Sequence, residues 1–517
     1  MTKGEQLTED EQLQAALALS VELMEGRQRP GEPAAGAGAG QNQWRDVTAA
    51  ELHNLLFGDS ASAAVKSQWT SQGIALAPVS EVASGGVGVD ASMGSGADAM
   101  KFEAGLAQQQ GGPCAILAAA QAMLLRRLLL DVSDTRPVDA AADETFSSAP
   151  LSALAPPTPR AHAALISALA DILWRAATAA NAAGGASAAS TAVVAFPSGD
   201  DSKAAHTVDT GDMQALCGSV LGGAVACASW AATRAALDAR ARSLESPVGA
   251  LAFLCSALLS RTLARFNAER NEVTPPLIDG QFGHCSQEVL SLMLIGQGVS
   301  NVFDGERDLG GGFMLRGVQE RPSIGLLSEL ESLRYLQVGS LFKQPKLPIW
   351  VIASQSHFTV LFCLSAEAQR STSLEALEET LLRAFSEYDS EGNGFISSEH
   401  LPSLLTALPE WQAHLPPLDE MRSRLDPEGT SLIVFDRFVQ SMTACHPSGA
   451  AAAAQHEASL PPAPLQLLHY NGLASAGHAH KRTLRSLRVR VGGARGVAAE
   501  SGLGAVVQTR WKDAAVE

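Results

Sequence analysis

Cys114 closes the run Gln108-Gln109-Gln110-Gly111-Gly112-Pro113-Cys114 and opens an apolar stretch that continues to Leu130. Two glycines and a proline make a tight approach to a helix. Proline suits the first turn because it has no N–H to leave unpaired. A thiol at a helix N-terminus faces unpaired backbone N–H groups and the positive end of the dipole, which stabilise the thiolate and lower its pKa. The same N–H groups can hold an oxyanion. The glycines leave room for an extended peptide to lie against the backbone. The pattern points to nucleophilic attack on an acyl carbon, with a buried structural cysteine as the bland alternative. The other six cysteines, Cys217, Cys227, Cys255, Cys285, Cys363 and Cys445, mostly sit in apolar runs and read as packing residues.

A thiolate nucleophile needs a base from elsewhere in the chain. Of the twelve histidines, His357 stands out because it lies between two strand-like runs, Leu347–Ala353 and Phe358–Leu364. Thr359 follows two residues on and shares its face in a regular strand. His284, in Phe282-Gly283-His284-Cys285, is the rival base, in a glycine-flanked setting that reads as a turn. Gln108 lies six residues before Cys114. Papain-like enzymes carry at that separation a glutamine whose amide donates to the oxyanion, and one such donor is worth roughly 2–4 kcal/mol of barrier.

The elements that must hold these residues are mixed. Cys114–Leu130, Ala161–Ala180, Val248–Arg265 and Glu288–Ile295 read as helices, and with the two strand-like runs they give an α+β class. Ser84–Gly96, Ser133–Pro159 and Ala182–Asp212 are low-complexity insertions, and the basic stretch Lys481–Arg495 reads as a solvated or partner-facing loop. The 517 residues carry 37 Lys+Arg against 54 Asp+Glu, a net charge of -17. That balance argues against nucleic acid, which needs clustered cations, and against adsorption to anionic membranes. Seven cysteines are too few and odd in number for a disulfide scaffold and fit a reducing compartment. No uninterrupted apolar stretch reaches ~18 residues. Acids rather than an apolar run follow the N-terminus, so no signal peptide is expected.

Two other segments carry a pattern. Thr8 to Met24 reads as a short helix with Leu13, Ala16, Leu17, Val21 and Met24 on one stripe, capped by Thr8 with Glu11. A Gly/Ala/Pro-rich linker follows. The acidic loop Asp389 to His400 fits an EF-hand frame with Asp389, Glu391 and Asn393 at positions one, three and five and Gly394 at six. Position twelve is His400, where a bidentate Glu is wanted, so metal binding is not expected there. A second unit starting at Asp426 has Arg437 at twelve.

Several blocks in order resemble the MINDY deubiquitinases. They are Gln108 with Gly-Gly-Pro-Cys114, Pro276–Gln287, Gly298–Arg307, Pro348-Ile-Trp350 with Ser356-His-Phe-Thr359, and His469-Tyr-Asn-Gly-Leu473. The branch with an EF-hand-type insertion late in the catalytic domain is the most similar. The resemblance covers most of Trp44–Trp511 apart from the insertions. It implies a papain-like cysteine peptidase that cleaves isopeptide bonds between ubiquitins, preferring chains linked through lysine 48. By that resemblance Cys114 is the nucleophile, His357 the general base and Gln108 the oxyanion donor, with Thr359 a candidate third member by proximity. Leu13, Ala16, Leu17 and Ser20 resemble a ubiquitin-interacting motif. In such a motif a small Ala lets the helix settle on ubiquitin's apolar patch, and the preceding acids steer encounter.

The expected organisation is a ubiquitin-binding helix over 1–27, a linker over 28–43 and a catalytic core over 44–371. A degenerate EF-hand pair follows over 372–445, then a linker over 446–464 and a return segment of the catalytic domain over 465–517. The expected partners are polyubiquitin and ubiquitinated proteins, in cytoplasm or nucleus, with no cofactor needed. A non-catalytic ubiquitin-chain adaptor and an EF-hand scaffold are the rival readings.

Overall fold

The computed structural model describes residues 43–77, 102–109, 111–138, 142–143, 145–179, 190–198, 212–271, 275–308, 314–355, 357–369, 373–389, 394–446, 464–473, 483–491, 502–511 and 514–516. Five helices matter for the site: α1 (Ala63–Trp69), α2 (Cys114–Leu129), α3 (Thr158–Thr178), α4 (Gly249–Arg261) and α5 (Gln287–Ile295). All 16 residues of α2 are buried. A helix apolar on every side belongs inside, and α2 is the axis of the core. It packs against α3, α5 and two strands of the main sheet, while α4 packs on α3. Its two arginines are buried only because each meets a carboxylate. Arg126 pairs with Asp143 through two bonds of 2.9 and 2.8 Å, and Arg127 with Asp171 through two of 2.8 Å.

The main sheet has six strands: β1 (Gly325–Ser328), β2 (Ile349–Ala353), β3 (Phe358–Cys363), β4 (Leu465–Asn471), β5 (Thr483–Arg490) and β6 (Ala515–Val516). They lie side by side in chain order, β1 parallel to β2 and every other neighbour antiparallel. Alternation assigns the two faces. Ile349 and Val351 join the main core around α2. Trp350 and Ile352 point the other way, into a layer closed by the helix Gly502–Arg510. There the Trp350 and Trp511 rings meet edge-on with centroids 5.3 Å apart.

Between β3 and β4 lies a separate helical module with its own apolar core, including Phe385, Trp411 and Phe438. Helices Ser373–Ser386 and Phe435–Cys445 pack together, and the short strands Phe395–Ser397 and Leu432–Val434 pair with Ile396 opposite Ile433. The two-stranded ribbon joins the N-terminal and C-terminal halves of this helical segment.

Three sequence expectations change. The helix over Val248–Arg265 breaks at Thr262, whose φ of 67° lies in the left-handed region. The chain bends by 84° there into a second helix, Leu263–Glu269, and Thr262 caps its start. The bend lets buried Arg261 reach Glu269. The low-complexity stretch Ala182–Asp212 contains a buried strand, Ala192–Val194, paired with Val225–Cys227. The basic stretch Lys481–Arg495 holds strand β5, with Leu484 and Val489 buried and Arg485, Arg488 and Arg490 exposed. The charges concealed a pattern that binds it to the sheet.

Candidate active site

Cys114 is the first residue of α2, and Pro113 before it offers no side-chain cap. Gly112 approaches with φ of 100°, a conformation that side chains resist. The first-turn N–H groups are thus left for the thiol. The Cys114 Sγ donates to the Gly112 carbonyl at 3.6 Å. The backbone N–H groups of Phe358, Ala115 and Cys114 and the Gln108 side chain all reach it as donors and favour the thiolate. Burial still outweighs them, and the thiol's pKa stands above its ordinary value. The depression expected from the helix N-terminus is therefore not realised in the resting site, because Sγ is wholly removed from water.

Gln108 is buried at 2 % exposure and is positioned by backbone. Its N–H donates to the Gly472 carbonyl at 2.9 Å, in a parallel bridge with Leu473. The Gln109 N–H donates to Gln72 Oε1 at 2.8 Å, and Gln72 Nε2 donates to the Ala107 carbonyl at 3.1 Å. Gly105 is needed because a Cβ there would lie 2.6 Å from the Tyr470 hydroxyl, which donates to the Leu106 carbonyl.

His357 sits just before β3. Its Nε2 bonds Asn471 Oδ1 at 2.9 Å, and the same oxygen accepts the Leu473 N–H at 2.9 Å. Burial lowers the pKa of His357, the Asn471 bond opposes that, and nearby His284 adds to the lowering. Asn471 is the residue that sequence reasoning missed, although it stands inside the block His469–Leu473. Thr359 is not the orienting group. Its Oγ1 bonds His469 Nε2 at 2.8 Å instead. Both contacts are diagonal, because the register puts His469 opposite Leu361. One short segment, Tyr470–Leu473, thus holds both Gln108 and His357.

The Gly283-His284-Cys285 segment walls the site. The Trp69 indole N–H donates to the Gly283 carbonyl at 2.8 Å, and a Cβ on Gly112 would touch the same nitrogen at 3.3 Å. Cys285 shares the Ala115 N–H with Cys114, and burial raises its thiol pKa. Burial lowers the pKa of His284, opposed by Asp279. The Gln108 side chain and the N–H of Phe358, the residue after His357, reach Cys114, and His284 lies near His357.

The remaining predicted residues lie elsewhere. Asp389 is buried and its Oδ2 accepts the Gly394 N–H at 2.9 Å. Glu391 and Asn393 lie outside the described residues, as do Leu13, Ala16, Leu17 and Ser20. Among the described residues, no group of three or more His, Cys, Asp or Glu is placed to hold a metal ion.

Residues 95–381 match the family model described as the conserved domain of the deubiquitinating enzymes MINDY-3/4. Ubiquitin carboxyl-terminal hydrolase MINDY-3 from Bos taurus is 31% identical over 398 residues, covering 73% of this chain and 80% of that protein. The Homo sapiens protein of the same name is 29% identical over the same shares. Probable ubiquitin carboxyl-terminal hydrolase MINDY-4 from Bos taurus is 34% identical over 287 residues, 54% of this chain and 34% of that one. No solved structure matches the chain.

Proposed function

Since the chain belongs to the MINDY-3/4 family of deubiquitinating enzymes, we propose that it hydrolyses isopeptide bonds in polyubiquitin through the Cys114 thiolate, with a preference for lysine-48 linkages. It is a ubiquitin carboxyl-terminal hydrolase. The observation that carries the mechanism is the cluster of Cys114, Gln108 and the His357–Asn471 pair on elements far apart in sequence. A nucleophile at a helix start, with a histidine just before an antiparallel strand held by an asparagine on the next strand, supports a papain-like assignment.

Burial holds the Cys114 thiol above its ordinary pKa and the His357 imidazole below its own. His357 takes the Cys114 proton as Sγ bonds to the carbonyl carbon of the ubiquitin C-terminus. Negative charge then develops on the carbonyl oxygen. The Gln108 amide and the Cys114 N–H are the donors for that oxygen. The imidazolium returns its proton to the leaving lysine amine. Water, deprotonated by His357, hydrolyses the thioester. Asn471 holds the ring by its far nitrogen throughout.

The same reading extends to the flanks. The segment over 1–27, by its resemblance to a ubiquitin-interacting motif, tethers ubiquitin by Leu13, Ala16, Leu17 and Ser20, and raises the local concentration of chains. The module over 372–445 is a structural EF-hand pair, with His400 in place of the bidentate ligand. The setting is cytoplasm or nucleus. One observation favours the adaptor reading, in which chains bind uncut: Cys114 is 0% exposed.

A gel assay of lysine-48-linked and lysine-63-linked chains tests the reading, using wild type, Cys114→Ala and a form lacking residues 1–27. Cleavage of the lysine-48 chains, absent in Cys114→Ala, is expected. Chains bound but left intact by wild type would turn the conclusion to an adaptor.

A further inference from the structure

A cavity of about 590 Å³ opens at the far end of α2, remote from Cys114. Arg126, which lines it, lies twelve residues along the helix from the nucleophile, about 18 Å at the helical rise. A volume of that size suits a small ligand. Its charges do not balance. Asp143 accepts both Arg126 bonds and the Ser323 hydroxyl at 2.7 Å. Asp171 accepts both Arg127 bonds and the Trp230 indole N–H at 2.8 Å. Each carboxylate is thus committed to its own arginine. Arg175 also lines the cavity, and its guanidinium donates only to the Leu294 carbonyl and, at 3.3 Å, to Met123 Sδ. Neither partner carries a charge. Burial, with Arg126 nearby, draws its pKa down to about 10 against the pull of Asp171 and Asp143, which still leaves it a cation at neutral pH. Glu320 and Lys346 also line the cavity with one charge of each sign, and exposed Arg321 adds a further positive group. The half-buried Trp174 ring contributes an apolar wall.

Arg126, Arg127 and Arg175 share only the two carboxylates Asp143 and Asp171, an excess of positive charge that is unfavourable away from water, and a guanidinium pairs best with the flat oxygen pairs of phosphate or carboxylate. We propose that this cavity binds a small phosphate-bearing anion, held by Arg175 on its wall and Arg321 at its rim. The site is separate from the ubiquitin chemistry and does not depend on it.

The test is a phosphorus NMR titration of the full chain with inorganic phosphate and with pyrophosphate, in chloride buffer of matched ionic strength. Saturable binding of either probe is expected, unchanged in Cys114→Ala and weakened at least tenfold in Arg175→Gln and in Arg321→Gln. Arg175 also bonds the last turn of α5, so Arg175→Gln is used only if its circular dichroism matches wild type. Arg321 is exposed, and Arg321→Gln alone decides if the other variant misfolds. The proposal is overturned if wild type shows no saturable binding, if Cys114→Ala abolishes it, or if every folded arginine variant binds as wild type does.

Discussion

Asn471 offers the sharpest test of how the base is held. Its Oδ1 accepts two hydrogen bonds, from His357 Nε2 and from the Leu473 N–H, both at 2.9 Å. Asn471→Ala removes both. At about 0.5–1.5 kcal/mol each, the loss of stability should be about 1–3 kcal/mol. The catalytic effect is larger in consequence. A positioned base contributes about 10²–10⁴-fold, and misalignment forfeits part of that, so kcat should fall about 10- to 100-fold. Asn471→Asp separates orientation from packing. The carboxylate still accepts both bonds, but its charge favours the imidazolium. His357 in the wild type has a lowered pKa, so its basic form persists below the ordinary histidine range. In Asn471→Asp the acid limb of kcat/KM should move to higher pH, with much of the rate at alkaline pH retained. The assay is cleavage of a fluorogenic ubiquitin substrate across pH 5 to 9, with chemical denaturation of each variant. Wild-type kcat in a folded Asn471→Ala, together with an unmoved acid limb in Asn471→Asp, would mean that Asn471 does not position the base.

Other outcomes follow from the same geometry. Gln108→Ala should lower kcat about 10²–10³-fold with ubiquitin-chain capture unchanged, measured by steady-state kinetics beside a pull-down. His469 is half-buried, its Nδ1 has no partner, and loss of solvation, with Arg485 nearby, pulls its pKa down to about 4. The unfolded chain binds that proton near pH 6.5, so the stability due to a neutral His469 is present above about 6.5 and is lost as pH falls towards 4. The loss should reach about 3 kcal/mol at 1.36 kcal/mol per unit, and His469→Gln should flatten the urea-unfolding profile over that range. Arg127→Met leaves Asp171 buried without its ion partner and should cost about 3–5 kcal/mol, read as a fall in Tm. Replacing both with apolar residues should recover most of it.

Cys114, the proposed nucleophile, is legible as a candidate because its signals are local: two glycines, a proline and an apolar helix in one run. His357 was legible because a histidine between two strand-like runs is rare in this chain. Asn471 was not, since an asparagine at a strand end has no local mark and its partner is 114 residues away. Thr359 looked like the orienting group because period two put it on the same face. The face was right, but the diagonal offset between β3 and β4 gave Thr359 to His469. The thiol's pKa was misjudged for another reason. The helix N-terminus is visible in sequence, whereas the burial that overrides it depends on Phe358 and the Gly283–Cys285 wall arriving from elsewhere. The broken helix at Thr262 was hidden because an apolar run looks continuous through a residue whose φ is set by the ion pair it permits.

The hundred or so residues between β3 and β4 have a simple meaning for the sheet. Their two ends leave and re-enter at neighbouring positions, since Cys363 lies opposite Leu467. From the side of the catalytic strands the whole helical module is one hairpin turn. Lengthening a closed loop raises its entropic penalty only logarithmically, about 0.6 kcal/mol per doubling. Exchanging the module for a four-residue turn, or for a foreign domain with close termini, should therefore preserve the pairing of His357 with Asn471. The enzyme carries its own port for domain grafting.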